Sequence, residues 1–210
     1  MRLKGLRMTH GQLKGRILKV PEGIRPTSAR VRTALMNAWQ CRLPQARVLD
    51  VFAGSGSVGL EAAARGAGRV DFVEGSSSAI AMLKDNCSLL EDADTRVLRA
   101  QLPLGAKNLT ELLRSGDGNS SYDLIFVDPP YRFEGHRQIL EELMTLLVEG
   151  GELAIEHSSR RPLPPRVVDN GCYALRTRIY GDSQLTIMAW TRNSDPERGI
   201  VDLEEAGNAA

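Results

Sequence analysis

A glycine-rich segment, DVFAGSGSVG at residues 50–59, follows a short apolar run and precedes an alanine-rich stretch. A turn of this kind between a strand and a helix lets backbone N–H groups approach a ligand beside the helix N-terminus. Glu74 ends the next apolar run, where a carboxylate can accept hydrogen bonds from ribose hydroxyls. Gly54, Gly56 and Gly59 also match GxGxxG, which alone is a weak motif. Together these residues predict a site for a nucleoside-containing ligand.

Asp50 distinguishes between two such ligands. A pyrophosphate is anionic, so a carboxylate just before the first glycine does not favour a dinucleotide. The methionine part of S-adenosylmethionine carries an ammonium group, which Asp50 could help to position directly or through water. The segment therefore favours S-adenosylmethionine over NAD.

A second motif, Asp128-Pro129-Pro130-Tyr131, follows the apolar run LIFV. The two prolines lack backbone donors and stiffen the chain, which leaves the Asp128 carboxylate and the Pro129 carbonyl as acceptors. Tyr131 adds an aromatic face on which a planar ring can stack. The motif predicts a planar substrate whose exocyclic amine is held for attack on a methyl group.

The elements that position these motifs alternate in type. Short apolar runs at 48–53, 70–75, 96–100, 124–129 and 152–157 read as strands. Helical spacing of apolar residues occurs at 57–65, 78–90, 108–114 and 136–148. Two further strands, 172–180 and 184–191, are joined by a short turn and predict an antiparallel hairpin. The pattern predicts an α/β fold with five parallel strands, covered on both faces, and a C-terminal antiparallel hairpin.

Three regions are predicted along the chain. Residues 1–24 form a small basic N-terminal arm, residues 25–192 the main domain, and residues 193–210 an acidic tail expected to be disordered. The main domain begins with a helix capped by Thr27 or Ser28.

Composition excludes several classes of protein. The chain has 210 residues, 42% of them hydrophobic, and no apolar run reaches the about 18–20 residues of a membrane span. Its three cysteines form no CxxC motif, which disfavours a disulfide scaffold or a metal site. A cytoplasmic protein with no membrane partner is expected. The net charge of +1 hides a division, because residues 1–47 carry +10 and the remainder −9.

The sequence resembles the class I S-adenosylmethionine-dependent methyltransferases, and more narrowly the bacterial 16S rRNA guanine-N2 methyltransferases of the RsmD type. The resemblance runs from about Gly11 to Trp190. It is carried by the segments LKGRILKVP, RPTSARVRTALMN, DVFAGSGSVGLEAAARGA, FVDPPY, EHSSR and YGDS. It implies a Rossmann-like fold, S-adenosylmethionine as cofactor, and 16S rRNA in the small ribosomal subunit or an assembly intermediate as partner. A monomer is expected.

The resemblance also implies roles for individual residues. The cofactor pocket would be lined by Asp50, Phe52, Ala53, Gly54, Ser55 and Gly56. Glu74 would bind the ribose, and residues 128–131 would hold the guanine amine. On the helix before the sheet, Thr27 and Arg32 would approach the cofactor and Arg30 the RNA. The family commonly has an acid after the third strand to bind the adenine amine, whereas this chain has Gln101-Leu102, which leaves an uncharged acceptor.

The basic arm predicts RNA contact. Its candidate phosphate ligands are Lys14, Arg16, Lys19 and Arg25. Alternative functions are methylation of another amine, such as DNA adenine or a protein amide, an NAD-dependent oxidoreductase suggested by GxGxxG, and a non-catalytic RNA-binding protein. Asp50, the DPPY motif and the terminal hairpin speak against the oxidoreductase.

Overall fold

The computed structural model describes residues 5–8, 10–20, 27–90, 92–115, 118–160, 163 and 172–190. The N-terminal arm is a small antiparallel hairpin of β1 (Gly5–Arg7) and β2 (Ile17–Lys19), with a 3₁₀ turn at Gly11–Leu13 between them. Helix α1 (Ala29–Ala38) follows, and the Ser28 hydroxyl caps it by accepting from the Val31 N–H at 3.2 Å. The predicted acidic tail lies outside the described residues.

The five predicted parallel strands are neighbours in a seven-stranded sheet and extend from one of its edges. They are β3 (Arg47–Val51), β4 (Arg69–Glu74), β5 (Thr95–Arg99), β6 (Tyr122–Val127) and β7 (Leu147–Ser158). The hairpin of β8 (Cys172–Tyr180) and β9 (Ser183–Trp190) adds to β7 through antiparallel pairing of β9. The order β5-β4-β3-β6-β7-β9-β8 reverses direction between β3 and β6. This confirms the predicted fold, and such a reversal creates a crevice at the carboxyl ends of the strands.

Helices cover both faces of the sheet. They are α2 (Ser57–Ala64), α3 (Ser77–Cys87), α4 (Ala106–Arg114) and α5 (His136–Met144). Helices α1, α2 and α3 share one hydrophobic cluster with strand residues such as Val48, whereas α4 and α5 share the other with Leu49. The alternation of neighbouring strand residues between clusters explains why the strands are apolar on both faces.

One predicted helix was too long. The apolar spacing suggested a helix over 136–148, but α5 ends at Met144 and β7 begins at Leu147, which pairs with Tyr122. The pairing shifts register before Leu124 meets Glu152, at the Gly150-Gly151 pair. The apolar Leu147-Val148 beside this irregularity could continue the helix or begin the strand. Pairing of Leu147 with Tyr122 favours the strand.

The arm packs on the main domain through buried apolar residues, and one polar side chain of the main domain also binds its backbone. Asn86 in α3 donates to the Lys19 carbonyl and to the Ser55 carbonyl, each at 2.9 Å, and accepts from the Lys19 N–H at 2.9 Å. Asn86 is buried, so its amide satisfies backbone groups of β2 and of the glycine-rich turn together.

Candidate active site

A cavity of about 350 Å³ opens at the carboxyl ends of β3, β4, β6 and β7. Its size is typical of a small-molecule site. The sequence-predicted residues that line it are Thr27, Asp50, Phe52, Ala53, Gly54, Ser55, Glu74, Asp128, Pro129, Pro130 and Tyr131. The structure thus brings the glycine-rich turn and the DPPY motif, which are far apart in sequence, to one cavity.

The turn after β3 has an unusual backbone. Phe52 and Gln45 are the non-glycine residues with positive φ in the described part of the chain, and Phe52 adopts φ +60°. Its ring makes an edge-to-face contact with Phe133, with ring centroids 5.2 Å apart. A strained conformation held by packing is typical of ligand-binding turns.

Gly56 does not line this cavity, contrary to the role expected from the sequence. It caps α2 with φ +74°, and a Cβ atom there would collide with a Leu83 methyl group of α3. The left-handed backbone conformation favours glycine here, and an added Cβ would also require the Leu83 side chain to move.

Glu74 ends β4 and holds the turn in place. One carboxylate oxygen accepts from the Gly54 N–H at 2.8 Å, and the other accepts from the N–H groups of Gly75 and Ser76 at 2.9 and 2.8 Å. A carboxylate has about four acceptor positions. Three backbone bonds thus orient the Glu74 carboxylate at the cavity and use three of these positions.

Asp50 lies at the floor of the cavity, near the end of β3. It is 2% exposed, and its Oδ2 accepts from the Gly59 N–H at 2.9 Å. Burial raises the pKa of Asp50 from 3.8 to about 7, the Gly59 hydrogen bond lowers it, and the negative charge of Glu74 raises it. A carboxyl group in this state is poised to ionise when a cation approaches.

Asp128 follows β6 and is oriented by a residue that precedes α1. The Thr27 hydroxyl donates to Asp128 Oδ2 at 2.9 Å, while the neighbouring Ser28 caps the helix. Tyr131 is 47% exposed at the cavity mouth, and its hydroxyl lies 3.1 Å from Ser183 Oγ. The arrangement combines a fixed carboxylate with an open aromatic face.

Strand β7 contributes three lining residues that the sequence did not assign to the site. They are Glu156, His157 and Ser158, which follow one another at the carboxyl end of the strand. His157 is buried, with Nε2 3.1 Å from Thr186 Oγ1. The sequence contained a signal for these residues, because the apolar run at 152–157 ends in Glu156 and His157. The carboxyl end of this predicted parallel strand lies at the same edge of the sheet as Asp128.

Three further residues predicted to bind the cofactor do not line the cavity. Arg32 is 1% exposed, and its Nε donates to Glu61 Oε2 at 2.6 Å, so its guanidinium lies in the interior rather than at the cavity. Glu61 is fully buried and also binds Arg65, which makes it an ionic centre between α1 and α2. Gln101 is exposed and, with Leu102, is not part of the cavity lining, so their contact with adenine stays a prediction.

The predicted RNA-contact residues are spread over the arm and α1. Lys14, Arg16 and Arg30 are exposed. Lys19 is also exposed, but its ammonium binds Asp85 at 2.7 Å, which partly neutralises it. Arg25 lies outside the described residues.

Among residues 5–8, 10–20, 27–90, 92–115, 118–160, 163 and 172–190, neither the requirements of a metal site nor those of a membrane span are met. No three His, Cys, Asp or Glu side chains among them are grouped in a way that could hold a metal ion. Within the same residues, no helix combines the length and the apolar character needed to cross a membrane.

Comparison with known sequences places this cavity in a wider context. The family model described as Conserved hypothetical protein 95 matches residues 6–189. The Ribosomal RNA small subunit methyltransferase D of Escherichia coli (strain K12) is 36% identical over 153 residues, which cover 72% of this chain and 71% of that protein.

Solved structures agree with the architecture. The Escherichia coli protein yhhF matches with a TM-score of 0.76 and 27% identity, over 90% of this chain and 100% of that chain. SMU.776, solved in complex with SAH, matches with a TM-score of 0.64 over 82% of this chain and 53% of that chain. At 12% identity, SMU.776 shares the fold.

Proposed function

Because this chain belongs to the Conserved hypothetical protein 95 family, with Ribosomal RNA small subunit methyltransferase D among its relatives, we propose that it methylates the N2 amine of a guanine in small-subunit ribosomal RNA. The chain is an S-adenosylmethionine-dependent ribosomal RNA methyltransferase. The guanine, the 16S rRNA of the small subunit or of an assembly intermediate, and action as a cytoplasmic monomer are our proposals.

The observation that carries the proposal is the meeting of two acceptor-rich motifs in one cavity. The turn held by Glu74 lines one side, and Asp128 to Tyr131 line the other. A ligand bound at the turn and a base stacked on Tyr131 would therefore share one cavity.

The residues at the turn fit S-adenosylmethionine. The remaining acceptor position of Glu74 suits a ribose hydroxyl, and the buried Asp50 carboxyl suits an ammonium group. Ala53 and Gly54 of the turn also line the cavity. When bound, the cofactor supplies an electrophilic methyl group on its sulfonium.

The chain's own residues then position the acceptor amine. Asp128 and the Pro129 carbonyl would each accept one N–H of the exocyclic amine, which favours a nitrogen whose lone pair points away from the ring. Thr27 fixes the rotation of the Asp128 carboxylate through its 2.9 Å bond. Stacking on Tyr131 contributes about 1–3 kcal/mol to base binding. Orientation, rather than a strong base, lowers the barrier, because the amine proton can leave after transfer.

The test uses the RNA particle as substrate. The protein is incubated with labelled S-adenosylmethionine and small subunits from a strain that lacks the enzyme, and the modified nucleotide is mapped by mass spectrometry. We expect N2-methylguanine in the small-subunit RNA. Label on adenine, on DNA or on protein would overturn the proposal.

A variant ties the activity to the site. Asp128→Asn should lose most of the activity while binding the cofactor with unchanged affinity in calorimetry. The exposed Glu134→Gln in the same loop is the matched control and should behave as the wild type. Normal turnover by Asp128→Asn would remove Asp128 from the mechanism.

A further inference from the structure

Asp128 and Glu156 each follow one member of a matched residue pair in the neighbouring parallel strands β6 and β7. Val127 of β6 lies opposite Ile155 of β7, so the next residue of each strand is a carboxylate at the same edge of the sheet. Both residues line the cavity, and Glu156 is 8% exposed. The site therefore contains a second carboxylate beside the one expected to hold the amine.

The two carboxylates point to the same face of the sheet. Two residues earlier, Phe126 and Ala154 lie opposite each other and belong to the cluster that packs under α1. Side chains two residues apart on a strand point the same way. The bond from Thr27, just before α1, to Asp128 agrees with this orientation.

The order of strands places these groups in a row. Glu74 ends β4, Asp50 lies in β3, Asp128 follows β6 and Glu156 lies in β7, and the sheet order is β4-β3-β6-β7. The first two lie at the proposed cofactor turn. Glu156 is thus on the far side of Asp128 from the cofactor.

A base with two adjacent N–H donors matches two adjacent carboxylates. Guanine presents its N2 amine next to N1–H, whereas adenine and cytosine present an amine next to a ring nitrogen that accepts. An acceptor facing a carboxylate leaves both groups without a donor, which a buried site penalises strongly.

We propose that Glu156 selects guanine by accepting its N1–H while Asp128 accepts the amine. This inference rests on the proposed function, because it concerns the base held at the same site. Glu156 reads the identity of the base, and Asp128 positions the reacting nitrogen.

The experiment uses 2-aminopurine, which keeps the exocyclic amine but has an acceptor at N1. Small-subunit RNA is assembled by ligation with either guanine or 2-aminopurine at the mapped position and is rebuilt into subunits. Wild-type protein should prefer guanine in kcat/KM by about 10- to 100-fold, the value of a hydrogen bond to a charged group. Glu156→Gln should lower the ratio of kcat/KM for guanine to kcat/KM for 2-aminopurine at least several-fold, because the glutamine amide can donate a hydrogen bond to N1 of 2-aminopurine.

Controls separate the possible roles of Glu156. Glu149→Gln, exposed on the same strand, should keep the wild-type ratio. If Glu156→Gln lowers kcat/KM equally on both RNAs, Glu156 has a structural role and the inference is overturned. Weaker cofactor binding with an unchanged guanine preference would place Glu156 at the cofactor and overturn it as well.

The wild-type protein alone also tests the idea, whether or not the variant folds. Equal activity on guanine and 2-aminopurine would overturn the role of Glu156 while leaving the proposed function intact. Absence of methylation on the guanine RNA would instead reject the proposed function and the inference with it.

Discussion

Replacing Asp50 with asparagine should stabilise the ligand-free protein at neutral and alkaline pH. The native carboxyl keeps its proton to about pH 7, whereas in the unfolded chain it ionises near 3.8. The native state therefore binds more protons between these values, and its free energy of unfolding falls as pH rises. At about 1.36 kcal/mol per pKa unit, the fall amounts to about 4 kcal/mol and is complete above about pH 7. Asparagine does not ionise, so the variant lacks this fall in the free energy of unfolding.

Urea unfolding of the ligand-free protein at pH 5 and pH 8 measures the difference. Asp50→Asn should be more stable than the wild type at pH 8 by up to about 4 kcal/mol, with less difference at pH 5. The amide oxygen still accepts from the Gly59 N–H, so the turn keeps its bond. The exposed Asp92→Asn serves as control and should not reproduce the gain in stability at pH 8.

A wild-type pH profile for Asp50→Asn, or a lower stability at pH 8, would show that Asp50 is not a buried carboxyl group that resists ionisation. A second readout separates stability from function. Calorimetry with S-adenosylhomocysteine should show weaker binding to Asp50→Asn, because the cofactor's ammonium loses its carboxylate partner. A more stable protein that binds the cofactor less tightly is the expected combination.

Three further predictions concern the arm, the sheet and α2. Replacing Lys14 and Arg16 with glutamine should reduce the slope of log affinity for RNA against log salt by about two and spare cofactor binding; an unchanged slope would place the RNA elsewhere. Tyr122→Phe removes the 2.6 Å bond to the buried Asp71 and should cost about 1–3 kcal/mol in urea unfolding, and a neutral result would show that the bond adds nothing. Gly59→Ala forces a Cβ onto the phenylalanine ring of β4 and should cost about 1–3 kcal/mol, whereas unchanged stability would mean that the ring moves aside freely.

The sequence predicted the sheet well because the signal is local. Each parallel strand is a short apolar run bounded by turn residues, and each pair is separated by a helical pattern. The end of α5 was missed because Leu147 is apolar in either element, and its pairing with Tyr122 depends on a residue 25 positions away. Local patterns contain no information about such a choice.

The site was predictable where it depends on strand ends and less so where it depends on partners. Asp128 and Glu74 follow strands, and their place at the cavity is a consequence of topology. Arg32 was assigned to the cofactor because it lies on the helix near the site. Its partner, Glu61, stands in an alanine-rich helix, and only the packing of α1 on α2 brings the two together.

Asn86 bears on how this protein can be recombined with its relatives. One amide group binds the backbone of the basic hairpin at Lys19 and the backbone of the glycine-rich turn at Ser55. The hairpin is therefore not a detachable module that could be exchanged between homologues without consequence. A chimera with the hairpin of a homologue keeps both sets of hydrogen bonds only if residue 86 can still bind both backbones. The smallest segment that can be exchanged intact therefore comprises the hairpin, α3 and the glycine-rich turn.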